Sequence, residues 1–329
     1  MIHRCRYVVT ECTAPYDNLA LEEHLLETVQ PGEVILYLWQ NRNTVVIGRN
    51  QNAWKEVRVP DLEKDGGHLV RRLSGGGAVY HDLGNLNFTF LASQADYDTA
   101  RQTEVILQAV RSFFIPAERT GRNDITVDGR KFSGNAFYKS GANAYHHGTL
   151  LLHVDMDNLA RYLNVPQQKL ASKGVSSVRA RVVNLKELCP DITIPALKDA
   201  LISALGNVYG ASPQELPASR IDGGKVAAGK AKFSAWDWIY GRPIPFTWEG
   251  EERFSWGNIQ LQLSVESGRV KECAAYSDAL DEGLIRSLPG LIAGRPLNGA
   301  ALAEAIAPIC AQSEEIGRDL QAFLTSQNF

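Results

Sequence analysis

Residues 71–90 read RRLSGGGAVYHDLGNLNFTF. Two arginines lead into three consecutive glycines, and two apolar runs follow, split by HDLGN. Glycine loses the most backbone freedom on folding and has no side chain to pack, so three in a row weaken any strand interior. Such a run suits a place where something comes close to the backbone, and Arg71 and Arg72 beside it point to an anion. A glycine-rich hairpin turn is the competing reading. The loop lacks GxGxxG spacing and leads into a strand, which argues against a dinucleotide fingerprint.

Outward from this stretch, the neighbouring segments are strand-like. EVILYLWQ (33–40) and NTVVIGRN (43–50) are β-rich, and the polar residues between them suit a hairpin. CRYVVT (5–10) reads as a strand, followed by a helix with Asp17 or Asn18 as N-cap and Pro31-Gly32 as its stop. Glu22 and Glu23 then sit early in that helix, where its dipole favours them, and His24 reads as a surface or internally satisfied residue. TARQTEVILQAVRSFF (99–114) is helical, and further helices are expected at 156–165 and near 195–207. ITV to KFSGNAF reads as a hairpin turning at Asp128-Gly129, and YHHGTLLLHV ends in an apolar strand.

Strands that succeed one another across short polar turns indicate an α+β fold with mixed, largely antiparallel sheets and flanking helices rather than βαβ repeats. GRPIP (241–245) is the best linker candidate. Beyond it come two or three alternating strands and two helical stretches, near 281–288 and 299–308, which make a small α+β C-terminal domain. The expected domains are 1–246 and 253–329.

A net charge of −3 advertises no nucleic-acid surface. The five cysteines, Cys5, Cys12, Cys189, Cys273 and Cys310, form no CxxC pair, so neither a disulfide framework nor a zinc site is indicated. With no signal peptide and no apolar run of membrane length, a cytoplasmic protein is expected.

Three further clusters carry chemistry. The first contains Asn123-Asp124 and Arg130-Lys131 followed by Ser133-Gly134-Asn135. A lysine among small residues can approach a phosphate or carboxylate oxygen closely, and Asp124 can help hold magnesium through phosphate and water. The competing reading is a polar hairpin with solvated charges. The second is His146-His147, which point to opposite faces of a strand and do not chelate one metal together. One of the two can face a cleft, and Trp39 reads equally well as core or as the wall of an apolar cleft. The third is SKGVSSVRARVVN (172–184), a solvated loop or one that closes over an anion. GKVAAGKA (224–231) misses the P-loop pattern at Ala231, and neither a buried strand nor an obvious helix start flanks it. No cysteine lies between Cys12 and Cys189, which excludes acyl transfer through a cysteine thioester across that whole region.

Taken in order and spacing, RRLSGGGAVYHDLGNLNFTF, GRND, KFSGNA, HHGTLLL and KGVSSVRARVVNL resemble the lipoate–protein ligase A family. The likeness runs from NLALEE through the C-terminal domain, where FSWGNIQL carries it. It implies a catalytic domain of the biotin/lipoate ligase fold with an accessory domain. It also implies activation of lipoate by ATP to lipoyl-AMP, then transfer to a lysine of a lipoyl domain. The expected acceptors are apo lipoyl domains of 2-oxoacid dehydrogenase E2 subunits and the glycine cleavage H protein. By motif, Arg72, Gly77, Ala78, Val79, Tyr80, Asn123, Asp124 and Lys131 would contact ATP. Lys131, Trp39, Gly76 and His147 would contact lipoate, and Lys173, Ser177, Arg179 and Arg181 would belong to a closing loop. The resemblance implies a monomer that uses ATP with Mg2+, has no permanently bound cofactor, and acts on neither nucleic acid nor membrane. Asp124 would be the possible magnesium contact. Three rivals stay open: a lipoyl or octanoyl transferase without ATP activation, a biotin ligase, and a non-catalytic lipoate-binding protein.

Overall fold

The computed structural model describes residues 2–121, 123–164, 181–241, 243–327 and 329. The chain divides into two compact units. The first comprises Met1–Val46, Trp54–Arg71 and Val79–Ile239; the second comprises Ile47–Ala53, Arg72–Ala78 and Tyr240–Phe329.

Eight strands of the first unit form one sheet. They are β1 (Arg4–Val9), β2 (Glu33–Trp39), β6 (Asn85–Ser93), β7 (Glu118–Thr120), β8 (Asp124–Val127), β9 (Arg130–Ser140), β10 (Asn143–Leu151) and β11 (Gln214–Glu215). Their spatial order is β11-β1-β2-β6-β10-β9-β8-β7. β1 runs parallel to β2 and β11, and every other pairing is antiparallel. A second sheet places β3 (Thr44–Ile47) between β4 (His68–Arg71) and β5 (Val79–His81). The mixed, largely antiparallel α+β expectation therefore holds.

The expected hairpin between 33–40 and 43–50 does not form. β2 pairs with β1 and β6, while β3 pairs in the other sheet. Both segments have strand composition, and composition does not choose the partner.

Register explains the faces of the large sheet, because directly opposed residues share a side. Leu36, Phe90, His146 and Phe137 form one row, with Leu38, Phe88, Gly148 and Asn135 beside it. The leucines and phenylalanines 88 and 90 join the main core, with helix α2 (Thr99–Arg111) and helix α3 (Ile194–Tyr209) supplying Val105, Ile106, Leu197 and Leu201. The opposite face carries Tyr37, Thr89 and His147 in one row, and Trp39, Asn87 and Thr149 in the next. Helix α1 (Pro15–Thr28) packs on strands of this sheet and is itself covered by helix α4 (Gly223–Ser234). A Cβ at Gly229 would sit 3.0 Å from the Ala20 Cβ, and Lys230 pairs with Asp17 at 3.0 Å.

Helix α1 starts three or four residues earlier than an Asp17 or Asn18 cap suggests, with Ala14 at the N-cap. Pro15 takes the first position, and Asn18 is buried, its amide bonding the carbonyls of Cys12 and Gln40. Its end agrees with Pro31-Gly32, where Gly32 has φ +74°. His24 is buried rather than on the surface: its Nε2 accepts from the Asp222 amide at 3.1 Å, while Nδ1 has no partner among the described residues. Helix α4 spans the GKVAAGKA segment, which gives a helix capped by Asp222 where no element was expected.

The second unit holds a meander of β12 (Trp248–Phe254), β13 (Gly257–Glu266) and β14 (Arg269–Ser277). Helix α5 (Glu282–Ile292), two short helices at Gly299–Ala305 and Ala307–Gln312, and helix α6 (Glu314–Ser326) pack Leu284, Ile285, Leu302, Ile309 and Leu320 against it. Two helical stretches were expected; the last is additional, because its apolar positions are diluted by acidic and polar residues. Among the described residues no helix is long and apolar enough to cross a membrane.

Phe114, just beyond α2, adopts φ +61° with its ring 98% exposed. Its N–H closes the helix end on the Arg111 carbonyl at 2.9 Å. A left-handed conformation costs a side-chain-bearing residue about 1–2 kcal/mol, and glycine adopts it freely. Part of that gain returns as extra freedom of the unfolded chain. Phe114→Gly is therefore expected to stabilise the protein by about 0.5–1 kcal/mol. A thermal melt checks this, and a lowered midpoint would refute it.

Candidate functional site

The hairpin joining β8 to β9 turns through Asp128 (φ +50°) and Gly129 (φ +73°), as the Asp-Gly pair predicts. The register shifts between Ile125 and Thr126, so Lys131 opposes Thr126 while Gly134 opposes Asp124. Such a bulge re-aims a side chain. The Lys131 ammonium lies over Gly134, where a Cβ would stand 2.8 Å from Nζ. Nζ reaches Asp124 Oδ1 at 2.7 Å. The Gly134 amide donates to Thr149 Oγ1 at 3.3 Å, tying this corner to β10. The lysine and aspartate side chains are 34% and 25% exposed. A pair this open to water contributes at most about 1 kcal/mol, so the ammonium can change partners at little cost.

Asn123 is held by reciprocal bonds with Asn135. Each side-chain amide donates to the other residue's backbone carbonyl at 2.9 Å, and the Asn135 N–H also donates to the Asn123 carbonyl. Of the expected closing loop, Lys173, Ser177 and Arg179 lie outside the described residues. Arg181 is described; the next residue, Val182, bridges to Lys131, and the Val183 amide donates to the Lys131 carbonyl at 2.9 Å.

A second cluster lines the other row of the same sheet face. Trp39 Nε1 donates to Thr89 Oγ1 at 3.1 Å, and Thr89 donates to Glu22 Oε1 at 2.7 Å. His147 Nδ1 lies 2.8 Å from the same oxygen. A carboxylate oxygen only accepts, so Nδ1 carries the proton. Trp39 stacks on Tyr37 at 5.8 Å, and all of these residues are buried. Glu22 is buried, and with the helix starting at Pro15 it lies beyond the first turn in which the dipole would favour it. Glu22, Thr89 and Asn87 were absent from the sequence-derived set. The trace they leave is the alternation NLNFTF, whose polar members Asn85, Asn87 and Thr89 share one face. Asn87 Nδ2 has no hydrogen-bond partner among the described residues.

The two histidines do face opposite ways. His146 is fully buried and contacts Asn135 Oδ1 through Nε2 at 2.8 Å. Burial, reinforced by the neighbouring His147 and Arg119, pushes its pKa down to about 3.

The glycine stretch is explained within the second unit. A Cβ on Gly75 would overlap the Ala279 carbonyl oxygen and stand 2.7 Å from that of Leu280. Gly76 has φ +90° and donates its N–H to Ala279 O at 3.0 Å. The Arg72 guanidinium donates to the carbonyls of Gly75 and Gly77 at 2.7 and 2.8 Å. What approaches Gly75 in this structure is protein backbone. In the first unit, Arg71 donates to the carbonyls of Trp238 and Ile239. Val79 and Tyr80 lie on β5, and the Tyr80 ring is buried 5.5 Å from that of Tyr162.

Among the described residues no group of three histidine, cysteine or acidic side chains can hold a metal. Asp124 offers a single carboxylate that already engages Lys131. That donor set does not fit a resident magnesium ion, which needs an octahedral oxygen shell; a metal carried by a nucleotide's phosphates is a different case.

Residues 14–206 match the family model described as the lipoyl protein ligase A/B catalytic domain, and 244–325 match that of the bacterial lipoate protein ligase C-terminus. The structure of LipL1 from P. falciparum in complex with lipoate superposes with a TM-score of 0.86 at 28% identity, covering 98% of this chain and 99% of that one. A bi-partite lipoate protein ligase from Thermoplasma acidophilum gives 0.63 at 28% identity, covering 74% and 99%. A lipoate-protein ligase A bound with ATP gives 0.63 at 27%, covering 73% and 99%.

Proposed function

We infer from this chain's membership of the lipoyl protein ligase A/B family, to which it belongs, that it is an ATP-dependent lipoate–protein ligase. The observation that carries the reading is the Lys131 ammonium, laid over Gly134 and paired with Asp124 at a partly exposed corner. A cation held this loosely is available to two anionic substrates in turn.

In the proposed first step a carboxylate oxygen of lipoate attacks the α-phosphorus of MgATP. The bond from that phosphorus to the bridging oxygen breaks, and pyrophosphate leaves. Both reactants are anionic, so the site must neutralise charge before they meet. Lys131 does this for the carboxylate and α-phosphate, and magnesium arrives with the nucleotide as part of the substrate. Arg72, Gly77, Ala78, Val79, Tyr80, Asn123 and Asp124 complete the proposed nucleotide contacts. For Arg72, a triphosphate contact means exchanging its carbonyl partners for phosphate oxygens. Trp39, Gly76 and His147 would hold the lipoyl chain, with Glu22 fixing the His147 tautomer. Lys173, Ser177, Arg179 and Arg181 would shield the mixed anhydride from water.

In the second step the neutral amine of an acceptor lysine attacks the lipoyl carbonyl, the carbonyl carbon–oxygen bond to AMP breaks, and the amide forms as AMP leaves and the amine's extra proton passes to solvent. A cation beside that amine lowers its pKa and favours the reactive form. The proposed acceptors are lipoyl domains of 2-oxoacid dehydrogenase E2 subunits and the glycine cleavage H protein, in a cytoplasmic setting. The similar T. acidophilum ligase was studied with its E2 lipoyl domain.

One observation favours the rival, lipoyl transfer without ATP: Arg72 and the Gly76 amide already serve carbonyl oxygens. Incubation with lipoate and an apo lipoyl domain, with and without MgATP, separates the two by acceptor mass. A lipoyl mass gain only with ATP is expected. No gain with ATP from free lipoate, but a gain from a lipoylated donor protein, would overturn the ligase reading.

A further inference from the structure

His146 lies on the core face of the sheet, turned away from the His147 and Lys131 side. Its ring packs against Phe88, Phe90 and Phe137, with centroids 5.4, 5.9 and 4.9 Å away. A phenylalanine would fill this environment without the cost of burying a polar ring. The imidazole instead makes one short, directional contact, from Nε2 to Asn135 Oδ1 at 2.8 Å. The orientation of Asn135 is fixed on its other side, where Nδ2 donates to the Asn123 carbonyl. Oδ1 therefore faces His146 as an acceptor, and Nε2 carries the proton. The neutral ring then has an acceptor at Nδ1, which faces Gln102 Oε1 at 3.2 Å. The Gln102 nitrogen has no partner among the described residues, so turning this amide over satisfies both groups.

The chain of bonds runs from α2 through β10 and β9 to the residue before Asp124. Gly148 makes room for it: a Cβ there would stand 3.0 Å from Asn135 Oδ1 and 2.6 Å from the Phe88 ring. At its far end Asp124 grips Lys131. We propose that His146 is a positioning residue that, through Asn135, fixes the Asn123–Asp124 backbone and so aims the partner of Lys131. This rests on the ligase reading for its kinetic consequence, though not for its structural one.

His146→Phe keeps the packing and removes the bond to Asn135. It is expected to slow lipoate-dependent ATP–pyrophosphate exchange by about 10- to 100-fold through kcat, the scale of a small misplacement, with KM for lipoate little changed. His146→Gln, whose Nε2 can donate from a similar position, is expected to recover most of the rate. Asn135→Ala should lose as much as His146→Phe, and the double variant no more than either, because both break one chain. A His146→Phe protein with the parent's rate, a glutamine variant no better than phenylalanine, or additive losses would overturn the proposal. Hydrogen exchange gives a readout that needs no activity: protection of the Asn135 amide, bonded to the Asn123 carbonyl, should fall at least tenfold in His146→Phe and return in His146→Gln. Unchanged protection overturns the proposal. A parent that performs no exchange reaction would sink the ligase reading alone and leave this structural test standing.

Discussion

Lys131→Ala is expected to abolish lipoyl-AMP formation in a protein that still folds. Removing the ammonium proposed to serve both carboxylate and α-phosphate makes the two anions meet without that charge. Loss of one such charge-stabilising group costs about 100- to 1,000-fold in rate. Stability should barely change. The Asp124 partner is partly exposed, so the lost pair is worth at most about 1 kcal/mol, or roughly 2–4 °C in melting temperature. Lipoate-dependent ATP–pyrophosphate exchange and a thermal melt on the same preparation decide the matter. Robust exchange by a folded Lys131→Ala protein would remove Lys131 from the chemistry. Loss of folding would instead assign the residue to structure.

Gly75→Ala has the largest expected effect on stability. The added methyl overlaps the Ala279 carbonyl oxygen and crowds the Leu280 carbonyl, and both obstacles are backbone. A flexible side chain can step aside; a main chain bonded on both flanks cannot, and the Gly76 amide holds Ala279 O from the next residue. Overpacking of this kind costs about 1–3 kcal/mol. Gly290→Ala is the internal control. Gly290 lies in α5 of the same unit, where a Cβ meets nothing within 4 Å. That change should stabilise by about 1 kcal/mol through helix propensity. Denaturant melts of the two variants should move in opposite directions. Equal, small shifts would show that the loop does not press on residues 279–280.

Gly75 also shows why residues 71–90 are only half legible in the sequence. That a triple glycine needs close approach follows from elementary sterics. Which group approaches does not, because Ala279 lies some two hundred positions along the chain. The flanking arginines argued for an anion by their charge alone. In the folded chain Arg71 donates to Trp238 and Ile239, and Arg72 to the loop's own carbonyls. Likewise β2 and β3 have strand composition, but pairing depends on which edges the fold presents.

Several local features were readable. The Asp128-Gly129 turn, the alternation of faces at His146-His147 and the stops of α1 depend on neighbours a few residues away. The family resemblance was readable too, because motif order and spacing survive in the linear chain. Burial was not. NLNFTF alternates as a half-exposed strand would, yet Asn85, Asn87 and Thr89 are all buried. Only packing of α1 over that face turns Glu22 inward to meet Thr89 and His147. The sequence alone thus determined most of the strands, the Asp128-Gly129 turn before Lys131, and the family. Tertiary structure decided which polar groups meet, since hydrogen bonds between distant segments depend on distances the linear order does not contain.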